Sequence, residues 1–346
     1  MGSLTAYSGL TTKLRAMRSR LLTDTQFREI VELDNVPAVV GYLRQYPGYQ
    51  RVFGSLDEQA LHRGNVERLL RESAYKDYSK IYSFASAGQR NFLKLYFMRF
   101  ECHFLKLCLT QIFDHRDVLQ DTVRYREFFS HHSELDVDAL SSAVTVDELR
   151  DRLKDTDYYQ PLAALENITN PTLFDYEMAL DLFVFKKQWK KKEKLLGKEE
   201  AAILEKILGT KFDMLNLQWI RRSKLYYHMT AADIYGLILP VNHKLSRDLI
   251  RQMVEAESPE MLEDLIHQSY YGRQAPDYGA ETMESLYTAI MKHMLMSASR
   301  NDPYSLAMVY CYMYLKEHEV DRLIIALECV RYKVPPDEAM ELVNCR

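Results

Sequence analysis

The sequence of 346 residues contains few of the residues that form turns, with only 12 glycines and 10 prolines. This scarcity argues against collagen-like, proline-rich and turn-dense all-β architectures. The five cysteines are an odd number without a Cys-x-x-Cys spacing: Cys102, Cys108, Cys311, Cys329 and Cys345. A disulfide or zinc framework is therefore disfavoured, and the composition fits a reducing compartment.

Long apolar runs and an excess of positive charge are also missing. The longest uncharged internal stretch, residues 303–315, has 13 residues, whereas a helix that spans a bilayer needs about 20. The N-terminus carries no apolar signal core, so we expect a soluble protein that associates with a membrane only through a complex. The formal net charge of −4 predicts no nucleic-acid partner.

What the sequence does have is the apolar spacing of helices. Hydrophobic residues make up 47% of the chain, which is enough for a large core. They recur every three or four positions in four long segments, at about 10–22, 91–113, 201–226 and 305–332. Alternating strand patterns with hairpin dipeptides are nearly absent, so the sequence predicts an all-α fold.

A first repeated signature marks the beginning of short helices. Asn35, Thr145 and Ser258 are candidate N-cap residues separated by 110 and 113 positions. Thr145 with Glu148 predicts a capping box. Pro259 follows Ser258 at a first helical position, where a missing amide is tolerated.

A second signature is an acidic residue followed four positions later by leucine, which places both on one side of a helix. It occurs at Glu101 and Leu105, at Asp213 and Leu217, and at Glu319 and Leu323. The acids are separated by 112 and 106 positions, close to the period of the first signature. The two signatures together predict three helical repeats. We expect them at residues 1–115, 116–232 and 233–346, each with a short helical hairpin and a longer helical pair.

Four further segments are informative together: the opening stretch 7–22, residues 174–181, the central helix 211–221 and the closing stretch 316–323. They resemble the C-type subunits of the prokaryotic V/A-type ATPases, which are related to the d-type subunits of the eukaryotic complexes. The resemblance covers nearly the whole chain in order. One departure is that Phe104 stands where the other two repeats carry Asn216 and Arg322, which puts equivalent roles for these positions in doubt.

The resemblance implies three similar helical domains with pseudo-threefold arrangement that form a funnel. It implies a peripheral protein on the cytoplasmic side of the membrane, in the central stalk of a rotary ATPase or ATP synthase. The partners would be the central-shaft subunits, received in a socket, and the membrane ring that carries protons or sodium ions. No catalytic residue, cofactor or metal is expected. A generic helical-repeat scaffold is the alternative.

A lysine-rich run stands out among the charged residues. It comprises Lys186, Lys187, Lys190, Lys191, Lys192 and Lys194 around Trp189, just before Gly197. One interpretation is the solvated face of a helix end with Trp189 packed inward. The other is a contact for anionic lipid headgroups or an acidic partner at the tip of a long hairpin.

Other local patterns are weak. His131 and His132, followed by three acidic residues, lack metal-ligand spacing, so we favour a solvated acidic loop over a metal-dependent hydrolase. The kinase-like triplet at 115–117 has no accompanying phosphate loop. Gly197-Lys198 is not followed by Ser or Thr, so it is not a P-loop. Asp213, Asn216 and Arg221 are expected to anchor hydrogen bonds between helices.

Overall fold

The computed structural model describes residues 3–54, 63–115, 122–280 and 282–344. Every regular element in these ranges is helical, as the sequence predicts. The four long segments correspond to helices Ser3–Arg18, Ala87–Asp114, Lys198–Leu225 and Leu306–Tyr332. The first of them ends four residues before the predicted position. No helix within these ranges is long and apolar enough to cross a bilayer.

The chain divides into two compact units, which we describe separately. Unit 1 comprises residues 1–86 and 260–346, and unit 2 comprises residues 87–259. Unit 1 therefore joins the two ends of the chain. The three-domain boundaries inferred from the sequence period stay a prediction.

The helices of unit 1 come from both ends of the chain. They are α1 Ser3–Arg18, α2 Asp24–Val31, α3 Val36–Gln45, α4 Gln50–Phe53, α5 Arg63–Phe84, α15 Pro259–Gln268, α16 Met283–Asn301, α17 Leu306–Tyr332 and α18 Pro336–Asn344. Two 3₁₀ turns, Gly272–Gln274 and Pro276–Tyr278, separate α15 from α16. Helix α17 is central, because α1, α2, α3, α5, α16 and α18 all pack against it. Its buried Leu323 shares one core with Phe27 of α2 and Leu43 of α3.

Unit 2 is built on three long helices with short helices around them. Its helices are α6 Ala87–Asp114, α7 Thr122–Ser130, α8 Val137–Ser141, α9 Val146–Arg152, α10 Tyr159–Ala163, α11 Leu173–Leu195, α12 Lys198–Leu225, α13 Ala231–Leu237 and α14 Arg247–Glu255. Helix α11 packs against α6, α10 and α12. An aromatic cluster fixes α7 on α6, with the ring centroid of Phe97 5.1 Å from that of Phe128 and 5.4 Å from that of Phe129.

The N-terminal ends of α3 and α9 carry the predicted cap residues, but the predicted capping box is not complete. The side chain of Asn35 accepts a hydrogen bond from Ala38 N, and that of Thr145 accepts one from Glu148 N. The Thr145 capping box is incomplete, because the Glu148 carboxylate accepts instead from Val144 N. Complete capping boxes begin α2, α11, α13 and α16, where threonine is followed three positions later by Gln, Asp or Ser. The four cysteines in the described ranges are free and buried, whereas Cys345 lies outside them.

Candidate functional site

The three acid–leucine signatures lie on the long helices α6, α12 and α17. Leu105, Leu217 and Leu323 are fully buried in the helical cores. Each acidic side chain accepts hydrogen bonds from the segment that leads into a short helix. The three leucines are therefore core residues, and the hydrogen-bond partners of each acid show which segment that acid holds.

Glu319 of α17 holds the entry to α2. One carboxylate oxygen accepts from Leu22 N at 2.5 Å, and the other accepts from Tyr49 Oη at 2.6 Å. Lys316 Nζ lies 2.8 Å from the same second oxygen, 2.8 Å from Tyr49 Oη and 4.1 Å from the centre of the Tyr49 ring. Glu319 and Lys316 are both buried, so this is a desolvated ion pair with its hydrogen bonds satisfied. Burial and the neighbouring Glu319 raise the pKa of Tyr49 well above its usual value.

Asp213 of α12 holds the entry to α14 with backbone amides. Its carboxylate accepts from His243 N at 3.3 Å, from Lys244 N at 2.6 Å and from Leu245 N at 3.2 Å. Gly209, one turn earlier on α12, permits the close approach, because a Cβ there would lie 2.7 Å from Cγ of His243. Asp213 is completely buried, and three N–H donors stabilise its charge.

Glu101 of α6 holds the entry to α8 through hydroxyl groups. It accepts a short hydrogen bond from Ser133 Oγ and a second from Tyr158 Oη at 2.7 Å. Ser133 Oγ in turn accepts from Leu135 N, just before α8. Burial raises the pKa of the Glu101 carboxyl, while the two hydroxyl donors oppose that shift.

The three contacts share one topology. The hydrogen bond from Ser133 reaches back 32 residues to Glu101, and that from Leu245 reaches back 32 residues to Asp213. In unit 1 the corresponding segment is at the N-terminus, so the acid of α17 receives Leu22 across a separation of 297 residues. Each acid on a long helix therefore fixes the segment before a short helix, which lies later in the chain for Glu101 and Asp213 and near the N-terminus for Glu319.

The position three residues after each acid differs among the three long helices, in agreement with the departure noted in the sequence. Asn216 forms two hydrogen bonds with the backbone of Leu239, at 3.1 and 2.9 Å. Arg322 donates to Asp24 and Asn344 and lies over the Phe27 ring. Phe104 instead packs among aromatic rings, with its centroid 5.2 Å from that of Phe129. Asp213 and Asn216 of α12 thus anchor loop backbone rather than a neighbouring helix, whereas the role of Arg221 stays a prediction.

The lysine-rich run occupies the end of α11, next to the turn at residues 196–197 that leads into α12. Two of its six lysines are not available to a partner. Lys192 is buried and pairs with Glu193 at 3.1 Å and with Glu205 of α12 at 3.2 Å, with its ammonium 4.2 Å from the Trp189 ring centre. Lys187 forms an ion pair with Asp157 and is largely buried. Trp189 packs inward against Phe212, as the first interpretation of the run predicts.

The remaining lysines are exposed and fall into a regular arrangement. Lys186, Lys190 and Lys194 are spaced by four residues and therefore follow one face of α11. We call these three residues the lysine stripe. Lys191 lies outside it and approaches Asp157 at 4.0 Å. Sequence alone could not separate the stripe from Lys187 and Lys192, because all six residues look alike in the run.

The two histidines of the pair lie in different surroundings. The His132 ring packs between Phe97 and Phe128, and burial together with His131 lowers its pKa to about 4. His131 is exposed, and Asp138 pairs with Arg126 at 2.5 Å. In the described ranges no three His, Cys, Asp or Glu side chains are grouped to hold a metal ion. Most of the kinase-like triplet, residues 116 and 117, lies outside those ranges.

The chain is similar to known proteins of one kind over almost its whole length. The chain is 25% identical to the C-type subunit of the A-type ATP synthase from Pyrococcus abyssi, covering 98% of this chain and 90% of the relative. It is 22% identical to the protein of the same name from Methanosphaera stadtmanae, over 96% of this chain and 86% of the relative. The family model described as ATP synthase (C/AC39) subunit matches residues 10–342. With this match over nearly its whole length, the chain belongs to the ATP synthase (C/AC39) subunit family.

Proposed function

We propose that this protein is a non-catalytic rotor subunit in the central stalk of an A/V-type ATPase or ATP synthase. It would act as a socket that receives the central shaft and as a cap on the membrane ring. In that position it would couple ATP chemistry to proton or sodium transport. The family match over residues 10–342 carries the proposal.

The three acid-anchored helices support a mechanical role. A subunit that transmits torque must resist deformation, and densely packed helical interiors have low compressibility. Glu101, Asp213 and Glu319 each tie a short helix to a long one through buried or partly buried hydrogen bonds. Such contacts limit sliding of the short helices, because displacement would leave a buried carboxylate without its donors.

The lysine stripe is our proposed contact with the membrane side of the complex. Its three ammonium groups are exposed at the end of a helical hairpin and have no carboxylate within ion-pair distance among the described residues. Each lysine beside an anionic surface contributes about 1 kcal/mol. An acidic face of the ring subunits, on the cytoplasmic side, is the partner we propose. Membrane association would then arise through the complex only.

Binding of the purified full chain tests both parts of the proposal. It should bind the central-shaft subunits and, separately, the detergent-solubilised membrane ring. The variant Lys186→Gln/Lys190→Gln/Lys194→Gln should weaken ring binding and leave shaft binding unchanged. A matched control removes three dispersed, exposed lysines, Lys94→Gln/Lys206→Gln/Lys292→Gln, and should bind both partners normally.

The outcomes separate the hypotheses. Equal loss of ring binding in the two triple variants would show that only total charge matters, and the stripe would lose its assigned role. Binding to the shaft alone would contradict the ring-cap function. Binding to neither partner, with all proteins folded, would overturn the rotor proposal and favour the helical-repeat scaffold.

A further inference from the structure

A basic cavity lies in unit 1, away from the acid-anchored contacts. Arg15, Arg18 and Arg300 line it together with Ser19 and Ser299, and its volume is about 510 Å³. Small-molecule sites usually measure roughly 300–1,000 Å³. The cavity is open to solvent, and its volume admits a small organic ligand.

The cavity is held in shape by the ends of two helices. Arg15 and Arg18 occupy the last turn of α1, and Arg300 occupies the last turn of α16. Thr11 Oγ1 donates to the carbonyl of Pro303 at 2.8 Å, which fixes the loop after α16 to α1. The convergence of the three arginines is thus set by packing and does not depend on a ligand.

The positive charge of this cavity is not balanced within the described part of the chain. None of the three arginines forms an ion pair with a described carboxylate, and no acidic side chain from those residues lines the cavity. Asp302 follows Arg300 closely in sequence but is not part of the lining. Among the described residues, the side-chain hydrogen bond found for these guanidinium groups is from Arg300 Nε to Met296 O.

Helix dipoles explain part of this arrangement. Arginine in a last helical turn is stabilised by the negative end of the helix, which amounts to about half an elementary charge. Two helix ends therefore supply about one negative charge against three guanidinium groups. Roughly two positive charges remain without a counter-charge, and a dianionic or more highly charged ligand would balance them.

We propose that this cavity binds a small molecule through a diphosphate or triphosphate group. Guanidinium groups donate paired hydrogen bonds to phosphate oxygens, and the Ser19 and Ser299 hydroxyls can add further donors. No aromatic ring of the described residues lines the cavity, so they offer no surface on which a nucleobase would stack. Recognition is directed at the phosphates, whatever group carries them. The site is independent of the proposed rotor function.

Isothermal titration calorimetry of the full chain tests this site with four probes. Pyrophosphate, tripolyphosphate and ATP should bind with affinities within about tenfold of one another, and adenosine should not bind. Arg300→Gln should weaken pyrophosphate binding about tenfold, and Arg15→Gln/Arg18→Gln/Arg300→Gln about a hundredfold or more. Arg15 and Arg300 are exposed and Arg18 is half-buried without an ion pair to a described carboxylate, so the thermal midpoint of the variants should stay close to that of the wild type.

The lysine stripe supplies a matched control, because it is a second group of three exposed cations. Lys186→Gln/Lys190→Gln/Lys194→Gln should bind pyrophosphate like the wild type. An equal loss in this variant, or no binding of any phosphate, would overturn the proposal. Stronger binding of a polyglutamate peptide than of pyrophosphate, dependent on the same arginines, would also overturn it and indicate an acidic protein partner.

The source of the phosphate is decided by a separate measurement. Vesicles of phosphatidylcholine with and without diacylglycerol pyrophosphate are sedimented with the protein. Sedimentation that requires this diphosphate lipid and the three arginines would assign the phosphate to a lipid headgroup. Absence of sedimentation, with tight binding of pyrophosphate in solution, would assign it to a soluble molecule.

Discussion

Asp213 and Glu319 each lie on a long helix, four positions before a buried leucine, yet their charges are balanced by different means. Both are buried, and both hold the segment before a short helix. Asp213 receives three backbone N–H groups, whereas Glu319 receives one N–H, a tyrosine hydroxyl and the ammonium of Lys316. The fold therefore requires a satisfied carboxylate at this position and does not require a particular set of donors.

This difference has an energetic consequence. Backbone amides are fixed by the loop, so a mutation of a neighbouring side chain cannot remove them. A lysine partner can be removed, which would leave Glu319 charged and buried without its counter-ion. The Glu319 contact should therefore be more sensitive to a mutation of its surroundings than the Asp213 contact.

The largest effect is expected for Lys316→Met. Removing one partner of a buried ion pair costs about 3–5 kcal/mol, because the remaining charge is left uncompensated. The free energy of unfolding from urea titration should fall by that amount. Lys316→Met/Glu319→Gln removes both charges and should recover most of the loss. A single variant within about 1 kcal/mol of the wild type would contradict the buried pair.

A smaller effect is expected for Asp213→Asn, about 2 kcal/mol, because an amide nitrogen replaces an oxygen that faces N–H donors. Hydrogen exchange should become faster at the amides of His243, Lys244 and Leu245. The control is Asp248→Asn, an exposed carboxylate on the neighbouring α14 that pairs with Arg251 at 3.3 Å. The control should change stability by less than about 0.5 kcal/mol. Unchanged exchange in Asp213→Asn would show that the carboxylate does not hold this segment.

For Glu101, the third acid, the contribution to stability can be tested through its dependence on pH. Burial raises its pKa above the ordinary 4.5, so the folded chain holds this proton more tightly than the unfolded chain. The stabilisation that the protonated Glu101 carboxyl contributes to folding is complete below pH 4.5. It is lost as pH rises through the elevated pKa. The stability of wild type relative to Glu101→Gln should therefore decrease from pH 4.5 toward neutrality. At neutral pH the free energy of unfolding of the variant should differ from that of the wild type by about 1 kcal/mol.

Tyr158→Phe is the informative companion to that variant. It removes a hydroxyl donor that opposes the upward shift of the Glu101 pKa, so this pKa should increase further. The pH range over which stability changes should then extend to higher pH. Urea titrations at several pH values measure both effects. If the free energy of unfolding of Glu101→Gln depends on pH as that of the wild type does, Glu101 is not among the groups that set the pH dependence of stability.

The sequence predicts much of this architecture but not the partners of its acids. Helical spacing predicts the long helices closely, and the acid–leucine signature predicts which positions are buried. These features are local, because a helix places residues four apart on one side whatever surrounds it. The contact from Leu22 to Glu319 spans 297 residues, so no local pattern can indicate it.

Lys192 shows the same limit on a smaller scale. It looks like its neighbours in sequence, but Glu205 of α12 and the Trp189 ring surround its ammonium group. The division between buried and exposed lysines depends on the angle at which α11 meets α12, which the sequence pattern does not specify. The basic cavity is a further example, because Arg18 and Arg300 approach each other only after α1 and α16 have each packed against α17.

The smallest effect is expected for Asp24→Asn, beside the Glu319 contact. Arg322 donates to Asp24 at 2.8 Å, but the Asp24 side chain is 74% exposed, so solvent screens the pair. Arg322 also keeps Asn344 as a partner at 2.7 Å. The free energy of unfolding at neutral pH should fall by about 0.5 kcal/mol or less.

The same pair should also respond to pH. The hydrogen bond from Arg322 lowers the pKa of Asp24 below 3.8, so the stabilisation by this carboxylate is present above pH 3.8 and disappears as pH falls through the lowered pKa. Urea titration of Asp24→Asn at neutral and acidic pH measures both. A loss as large as that of Lys316→Met would mean that the entry to α2 is held mainly by its exposed edge, and the proposed contrast between Glu319 and Asp213 would then fail.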